Sequence, residues 1–260
     1  IARAVLTDKQ KRARRARRLL AARGLVEAVT WSFIPKAEAE HFGGGAPELD
    51  LANPISVEMS SMRPSLLPGL LTAVKRNRNR GTSDTALFEL GQAYRGEKPD
   101  DQYLSAAGVR AGTSHLTGAG RHWEGNAKAV TAFDVKADVF AALASLGFDP
   151  AKAQITRDAP HWYHPGRSGA LKLGPKTVLA YFGEVHPATL KALDVEAPVS
   201  AFEIFLDALP PEKKKSRARP ALAASDLLPI TRDLAFIVPK DVAAGDVMKA
   251  AANSDKALIA

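Results

Sequence analysis

The sequence predicts an α+β chain: a domain built on a largely antiparallel sheet with flanking helices, then a piece of a second domain. Three observations carry this. Segments with the 3.6-residue period of helices and segments with the two-residue alternation of strands follow one another irregularly, without βαβ alternation. Residues 210–220 turn to Pro, Lys and Arg with almost no large apolar side chain, which marks a linker. The 260 residues, 46% hydrophobic and 25% charged, suffice for one large core or two smaller ones, which sets global disorder aside.

Thr7-Asp8-Lys9-Gln10 has the form of a capping box, the basic, alanine-rich stretch after it favours helix, and Gly24 supplies the stop, predicting a helix over 8–23. Its apolar stripe is narrow, Ala13, Ala16 and Leu20 with Leu19 beside it, so the helix needs a partner surface. Val29, Trp31 and Phe33 then alternate with Ala28, Thr30 and Ser32 up to Pro35, which predicts a strand over 25–34 with one strongly buried face. Gly43 to Gly45 mark a loop; with no Lys-Ser/Thr after them and no second glycine pair at dinucleotide spacing, they form neither a P-loop nor a Rossmann fingerprint.

Leu67, Leu70, Leu71 and Val74 share one face of a helix over 66–80, with Pro68 in its first turn and Gly81 as its stop. Strands are expected over 84–95 and 103–111, and a polar, glycine-containing loop over 112–130. A helix follows over 134–146, a hairpin over 169–183 turning at Gly174-Pro175, a short helix opened by His186-Pro187, and a strand over 199–206. Beyond the linker, 232–238 reads as a strand and 241–252 as a helix, too little for a complete domain.

The net charge of +8 is concentrated: residues 1–23 hold nine basic groups against the single acid Asp8, and the rest of the chain balances at 27 of each sign. One helix, with Arg14, Arg15 and Arg18 among its cations, therefore carries the excess. Smaller clusters stand at 75–80, with Arg76, Arg78 and Arg80, and at 213–217; each also suits a solvated face or a helix C-terminus. The absence of cysteine excludes disulfides, zinc-thiolate sites and thiol nucleophiles. No run approaches the roughly 18 apolar residues of a membrane span and no signal peptide opens the chain, which reads as cytoplasmic. A chain that begins at Ile1 and ends on an apolar run reads as an excised piece.

Two regions concentrate reactive side chains. His161 and His164, with Glu184 and His186, form a set that would ligate a divalent metal if loop and hairpin end met, but loop and strand-end packing explains them better, and no metal site is expected. Glu58 with Arg63, and Glu89 with Arg95, offer guanidinium clamps for a carboxylate or phosphate, or ordinary salt bridges.

Longer strings say more. Asn53-Pro54-Ile55-Ser56-Val57-Glu58-Met59-Ser60-Ser61-Met62-Arg63-Pro64-Ser65-Leu66-Leu67-Pro68-Gly69-Leu70-Leu71, then Asn77-Arg78-Asn79-Arg80-Gly81 and Leu87-Phe88-Glu89-Leu90-Gly91, closely resemble the beta subunits of bacterial phenylalanyl-tRNA synthetases. His164-Pro165-Gly166-Arg167-Ser168, Gly183-Glu184-Val185-His186-Pro187 and Arg232-Asp233-Leu234-Ala235 are similar to later landmarks of that family, in the same order. Pro64 departs from the threonine expected in its string.

The resemblance implies that residues 1–209 form a class II synthetase-like domain, that 210–220 link it onward, and that 221–260 begin a ferredoxin-like anticodon-binding domain. Helix 8–23 and strand 25–34 resemble motif 1, through which class II subunits associate, so Ala13, Ala16, Leu20, Val29, Trp31 and Phe33 are expected at a subunit interface. The implied partners are a catalytic alpha subunit in a heterotetramer and tRNA-Phe, touched by Arg14, Arg15, Arg18, Arg76, Arg78 and Arg80, with neither DNA nor membrane. ATP and Mg²⁺ are implied for the whole enzyme and no cofactor for this chain.

A class II site grips ATP with an Arg-x-Glu in motif 2 and an arginine in motif 3. Here Leu87 stands where the first arginine belongs, and 200–209 contains neither glycine nor arginine, so the negative charge of adenylate formation has no protein stabiliser. The expected role is a non-catalytic scaffold. The rivals are an independent class II ligase, which lacks those arginines, and a stand-alone basic RNA-binding protein, whose helix lacks aromatics for base stacking.

Overall fold

The computed structural model describes residues 5–113, 121–122, 125–126, 128–211, 221, 228–255 and 258–259. The chain divides into two compact units, Ile1–Lys213 and Lys214–Ala260.

The first unit opens with α1 (Asp8–Ala22), where Thr7 Oγ1 accepts from the Gln10 amide at 3.2 Å and Gln10 Oε1 from the Thr7 amide at 2.9 Å. There follow β1 (Val26–Glu27), β2 (Phe33–Ile34), α2 (Lys36–His41), β3 (Ser61–Met62), α3 (Leu67–Asn79), β4 (Thr85–Tyr94) and β5 (Gln102–Ala111). Inside the stretch read as a loop, β6 (Arg121–His122) and β7 (Gly125–Asn126) pair antiparallel; residues 114–120, 123–124 and 127 lie outside the described residues. Then come α4 (Ala132–Ser145), β8 (Gln154–Thr156), β9 (Tyr163–Leu173), β10 (Thr177–Val185), α5 (Pro187–Ala192) and β11 (Val199–Phe205). Helix α4 starts two residues before its predicted start because Thr131 and Asp134 form a second capping box.

Seven strands make one sheet in the order β1-β4-β5-β11-β10-β9-β8, antiparallel throughout except for β1 on β4. The pleat divides its side chains between two cores. One face buries Phe88, Ala106, Phe202, Ile204 and Phe182 against α1 and α4. The other buries Ala107, Val109, Tyr163 and Ala201 against α3 and its neighbours. On the first face Asp138 of α4, wholly buried, accepts from Arg110 Nε at 2.7 Å, Arg110 Nη2 at 3.1 Å and Arg23 Nε at 2.5 Å; Arg110 Nη2 also donates to the Arg23 carbonyl at 2.9 Å.

Two expectations are corrected here. The predicted strand 25–34 is broken into the two-residue β1 and β2, and its supposed buried face is open: Val29 is 91% and Trp31 72% exposed. Ladder bonds reach only the ends of the segment, so alternation there does not mark a covered face. In the second unit, helix α6 (Ala244–Ser254) is present but 232–238, including Arg232 and Asp233, forms no strand and is exposed. A strand exists by pairing, and among the described residues of this unit there is no second strand to pair with. The predicted linker falls almost wholly on 212–220, outside the described residues.

Candidate functional site

The sheet face that carries the motif 2-like and motif 3-like positions is where the chemistry of a class II enzyme would sit. Glu89 of β4, Ala107 of β5, Glu203 of β11 and Tyr181 of β10 lie in one row across it. Both carboxylates are buried, and each is closed by the segment leading from β3 into α3.

Arg63 Nη1 donates to Glu89 Oε1 at 2.7 Å and to Thr30 Oγ1 at 3.0 Å, and Arg63 Nε to the Gln92 carbonyl at 3.0 Å. Glu89 also accepts from Thr30, through the amide at 3.3 Å and the hydroxyl at 2.7 Å. The pairs suggested by sequence are thereby replaced: Glu58 is exposed on a short 3₁₀ turn (Val57–Met59), and the Arg95 guanidinium lies over the Tyr103 ring, 4.3 Å from its centroid. Sequence proximity had matched neighbours, whereas β4 brings Glu89 to an arginine 26 residues away.

Glu203 accepts from Ser65 Oγ at 2.5 Å, Trp162 Nε1 at 3.2 Å and the Tyr163 hydroxyl at 3.2 Å. Burial pushes its pKa above the ordinary 4.5, opposed by those hydrogen bonds and by Arg95. Burial, and then the Glu203 charge, push the phenols of Tyr163 and Tyr103 upward. An ATP-gripping face needs cations open to a triphosphate. Here Leu87 offers none, Arg63 is 5% exposed with Nε and Nη1 engaged, and β11 carries a glutamate, so these residues do not fit ATP.

The histidine set lies around the start of β9 and the end of β10. Residues 164–168 lie within β9 rather than in a loop. His164 Nδ1 accepts from the Gly166 amide at 3.0 Å, and Ser168 Oγ donates to the His164 carbonyl at 2.6 Å. His186 caps α5 by accepting from the Ala188 amide at 3.1 Å, and its ring centroid is 6.3 Å from that of His164. His161 meets Trp162 edge-on, Arg167 Nε pairs with Glu184 at 2.6 Å, and Pro165 continues the strand. Among the described residues no three His, Asp or Glu side chains gather as a metal-ligand set.

The expected interface residues separate into two groups. Ala16 and Leu20 are 1% and 0% exposed inside the first core, with Ala13 packed against it, so this stripe is consumed within the chain and is not an outer surface. Val29 and Trp31 project into solvent, and Phe33 is half-buried in β2. Sequence reasoning missed Ile55 and Val57, 92% and 85% exposed before and within the 3₁₀ turn that packs on β2, and Val26 at 63% on the edge strand β1. The available signal was Ile55-Ser56-Val57 itself, apolar residues after the turn-forming Asn53-Pro54, both exposed.

Comparison with known proteins gives this geometry a family. The description "Phenylalanyl tRNA synthetase beta chain CLM domain" matches residues 1–206. The chain belongs to this family. The phenylalanine–tRNA ligase beta subunit of Rhodopseudomonas palustris is 55% identical over 257 residues, 98% of this chain and 32% of that protein. The beta subunits of Brucella abortus and Paramagnetospirillum magneticum are each 55% identical over 256 residues. The chain thus spans about a third of the length of these curated relatives. Among solved structures, a pyrrolysyl tRNA synthetase from Desulfitobacterium hafniense aligns with a TM-score of 0.55 at 15% identity, over 76% of this chain and 66% of that one. It shares the fold.

Within this synthetase beta-chain module the cationic helix is largely spent on internal partners. Arg12 donates to the carbonyls of Leu206, Leu209 and Pro210; Lys9 pairs with Asp207 at 3.1 Å, Arg17 with Glu27 at 2.7 Å and Arg23 with Asp138. Arg14, Arg15 and Arg18 face outward, as do Arg76 and Arg80 at the end of α3, with Arg78 half-buried between them. The predicted 213–217 cluster lies outside the described residues.

Proposed function

We propose that this chain is the non-catalytic, synthetase-like module of a phenylalanine–tRNA ligase beta subunit, scaffolding the catalytic alpha subunit and contributing to tRNA-Phe binding while phenylalanine is attached. The observation that carries this reading is the closed sheet face: Arg63 on Glu89 and Ser65 on Glu203 occupy the ground where a class II enzyme grips ATP. ATP and Mg²⁺ then belong to chemistry on the partner, and this chain supplies shape. Residues 1–209 are the module and 221–260 the start of an anticodon-binding domain; the match to the beta subunits, which covers 98% of the chain, supports this.

The surface offered to the alpha subunit is the apolar edge made by Val26, Val29 and Trp31 with Ile55 and Val57, since exposed apolar side chains on neighbouring segments mark an association site. Outward arginines of α1 and α3 suit tRNA phosphates, which fix position without reading sequence. Among the described residues no helix is long and apolar enough to cross a membrane. The test is co-elution with the alpha subunit together with phenylalanine-dependent exchange of pyrophosphate into ATP. Co-elution without exchange by this chain alone is expected; exchange that disappears in Glu89→Gln would promote the independent-ligase reading.

A further inference from the structure

Segment 28–32 has almost no ladder of its own. The Ala28 amide donates to the Phe88 carbonyl at 2.7 Å at one end, and the Arg63 amide to the Ser32 carbonyl at 3.0 Å at the other. Between them the backbone is fastened by two buried side chains: Glu89 accepts from the Thr30 amide, and Arg63 Nη1 reaches the carbonyls of Thr30 and Trp31 at 3.4 and 3.5 Å. The Thr30 hydroxyl sits between them, accepting from Arg63 and donating to Glu89.

The surroundings are cut to fit this fastening. A Cβ on Gly69 would stand 2.3 Å from Thr30 Oγ1, and one on Gly91 2.7 Å from Arg63 Nη2, so a side chain at either place would displace the lock. With Thr30 held inward, its neighbours Val29 and Trp31 point outward.

We propose that Arg63, Glu89 and Thr30 are positioning residues for subunit assembly: the glutamate left at the motif 2-like position is reused, with an arginine from another segment, to hold Val29 and Trp31 as a preformed ridge for the alpha subunit. This rests on the reading of that apolar edge as the assembly surface. The physical gain is preorganisation. Ordering a free backbone costs conformational entropy, and a ridge already fixed in the unbound chain does not lose it on binding.

The experiment compares Thr30→Val, Thr30→Ser, Glu89→Gln and Trp31→Ser in the full polypeptide that carries this chain, co-expressed with its alpha subunit. Hydrogen exchange at amides 29–32 of the unbound subunit is measured beside the affinity for alpha. Thr30→Val is expected to speed exchange there and to weaken assembly, each by roughly tenfold. Thr30→Ser, which keeps the hydroxyl, restores both, while exchange in β5 and β11 stays as in the wild type. Glu89→Gln, which keeps the shape and weakens the clamp, moves both readouts the same way and decides the matter if Thr30→Val does not fold. Unchanged exchange at 29–32, or unchanged affinity in Thr30→Val and Glu89→Gln while Trp31→Ser loses it, overturns the positioning role and leaves the surface standing. Unchanged affinity in Trp31→Ser overturns the surface itself, and the positioning role with it.

Discussion

Two buried arginine–carboxylate sites lie on opposite faces of one sheet, and the same chemistry serves different ends in them. At Asp138 two guanidinium groups converge on a carboxylate with no exposed surface, and their parent residues belong to the end of α1 and to β5, so the site ties whole elements together. At Glu89 a single guanidinium holds the Gln92 carbonyl through Nε and reaches, through Nη1, the backbone of a segment that has almost no ladder. What a buried ion pair does is decided by what its spare hydrogen bonds hold, because the pair itself roughly cancels its own desolvation.

The comparison is broken most severely at Asp138. Asp138→Ala strands the buried Arg110 guanidinium and frees the partly exposed Arg23, and is expected to cost about 3–5 kcal/mol of unfolding free energy, read from denaturant midpoints. A loss below about 1 kcal/mol would show that the arginines relax to water and that the site ties nothing. Next in size, Ser65→Ala removes one of three donors to Glu203 and should cost about 1–3 kcal/mol.

The same carboxylate makes a pH signature. Its folded pKa is raised by burial, so between its ordinary 4.5 and the higher folded value the native chain holds a proton that the unfolded chain has released. Stability from this group is therefore full below the unfolded pKa and falls as pH rises through that window. Stability curves of the wild type and Glu203→Gln should separate with rising pH, the wild type losing ground; parallel curves would place the folded pKa at its ordinary value. The smallest effect on folding belongs to the open edge: Ile55→Ser and Val57→Ser should stay within about 0.5 kcal/mol of wild-type stability, while co-elution with the alpha subunit declines.

Much of the fold was legible from local rules. Capping residues and apolar spacing marked α1 and α3, and alternation marked the long strands, because those elements bury the face that their pattern displays. Val29 and Trp31 carried the same alternation and face solvent, since a two-residue period states which side chains share a side and not what covers that side. Leu87, where the resemblance puts the missing motif 2 arginine, lies in β4. The resemblance was blind to Arg63 on Glu89 and to Ser65, Trp162 and Tyr163 on Glu203, pairings that join residues 26 to 138 positions apart and exist only once the sheet has closed.

The row in which Glu89 and Glu203 stand has a consequence for how the strands find their alignment. Backbone ladders look alike from one register to the next, so a strand can be bonded and still be misplaced. A slip of one residue in β4 or β11 would turn its glutamate to the opposite face, among Phe88, Phe202 and the helices α1 and α4, away from Arg63 and Ser65 and beside arginines already engaged by Asp138. The two carboxylates thus act as index marks: only one alignment of these strands meets Arg63 and Ser65, and a misthreaded sheet carries an unpaired charge that drives it apart.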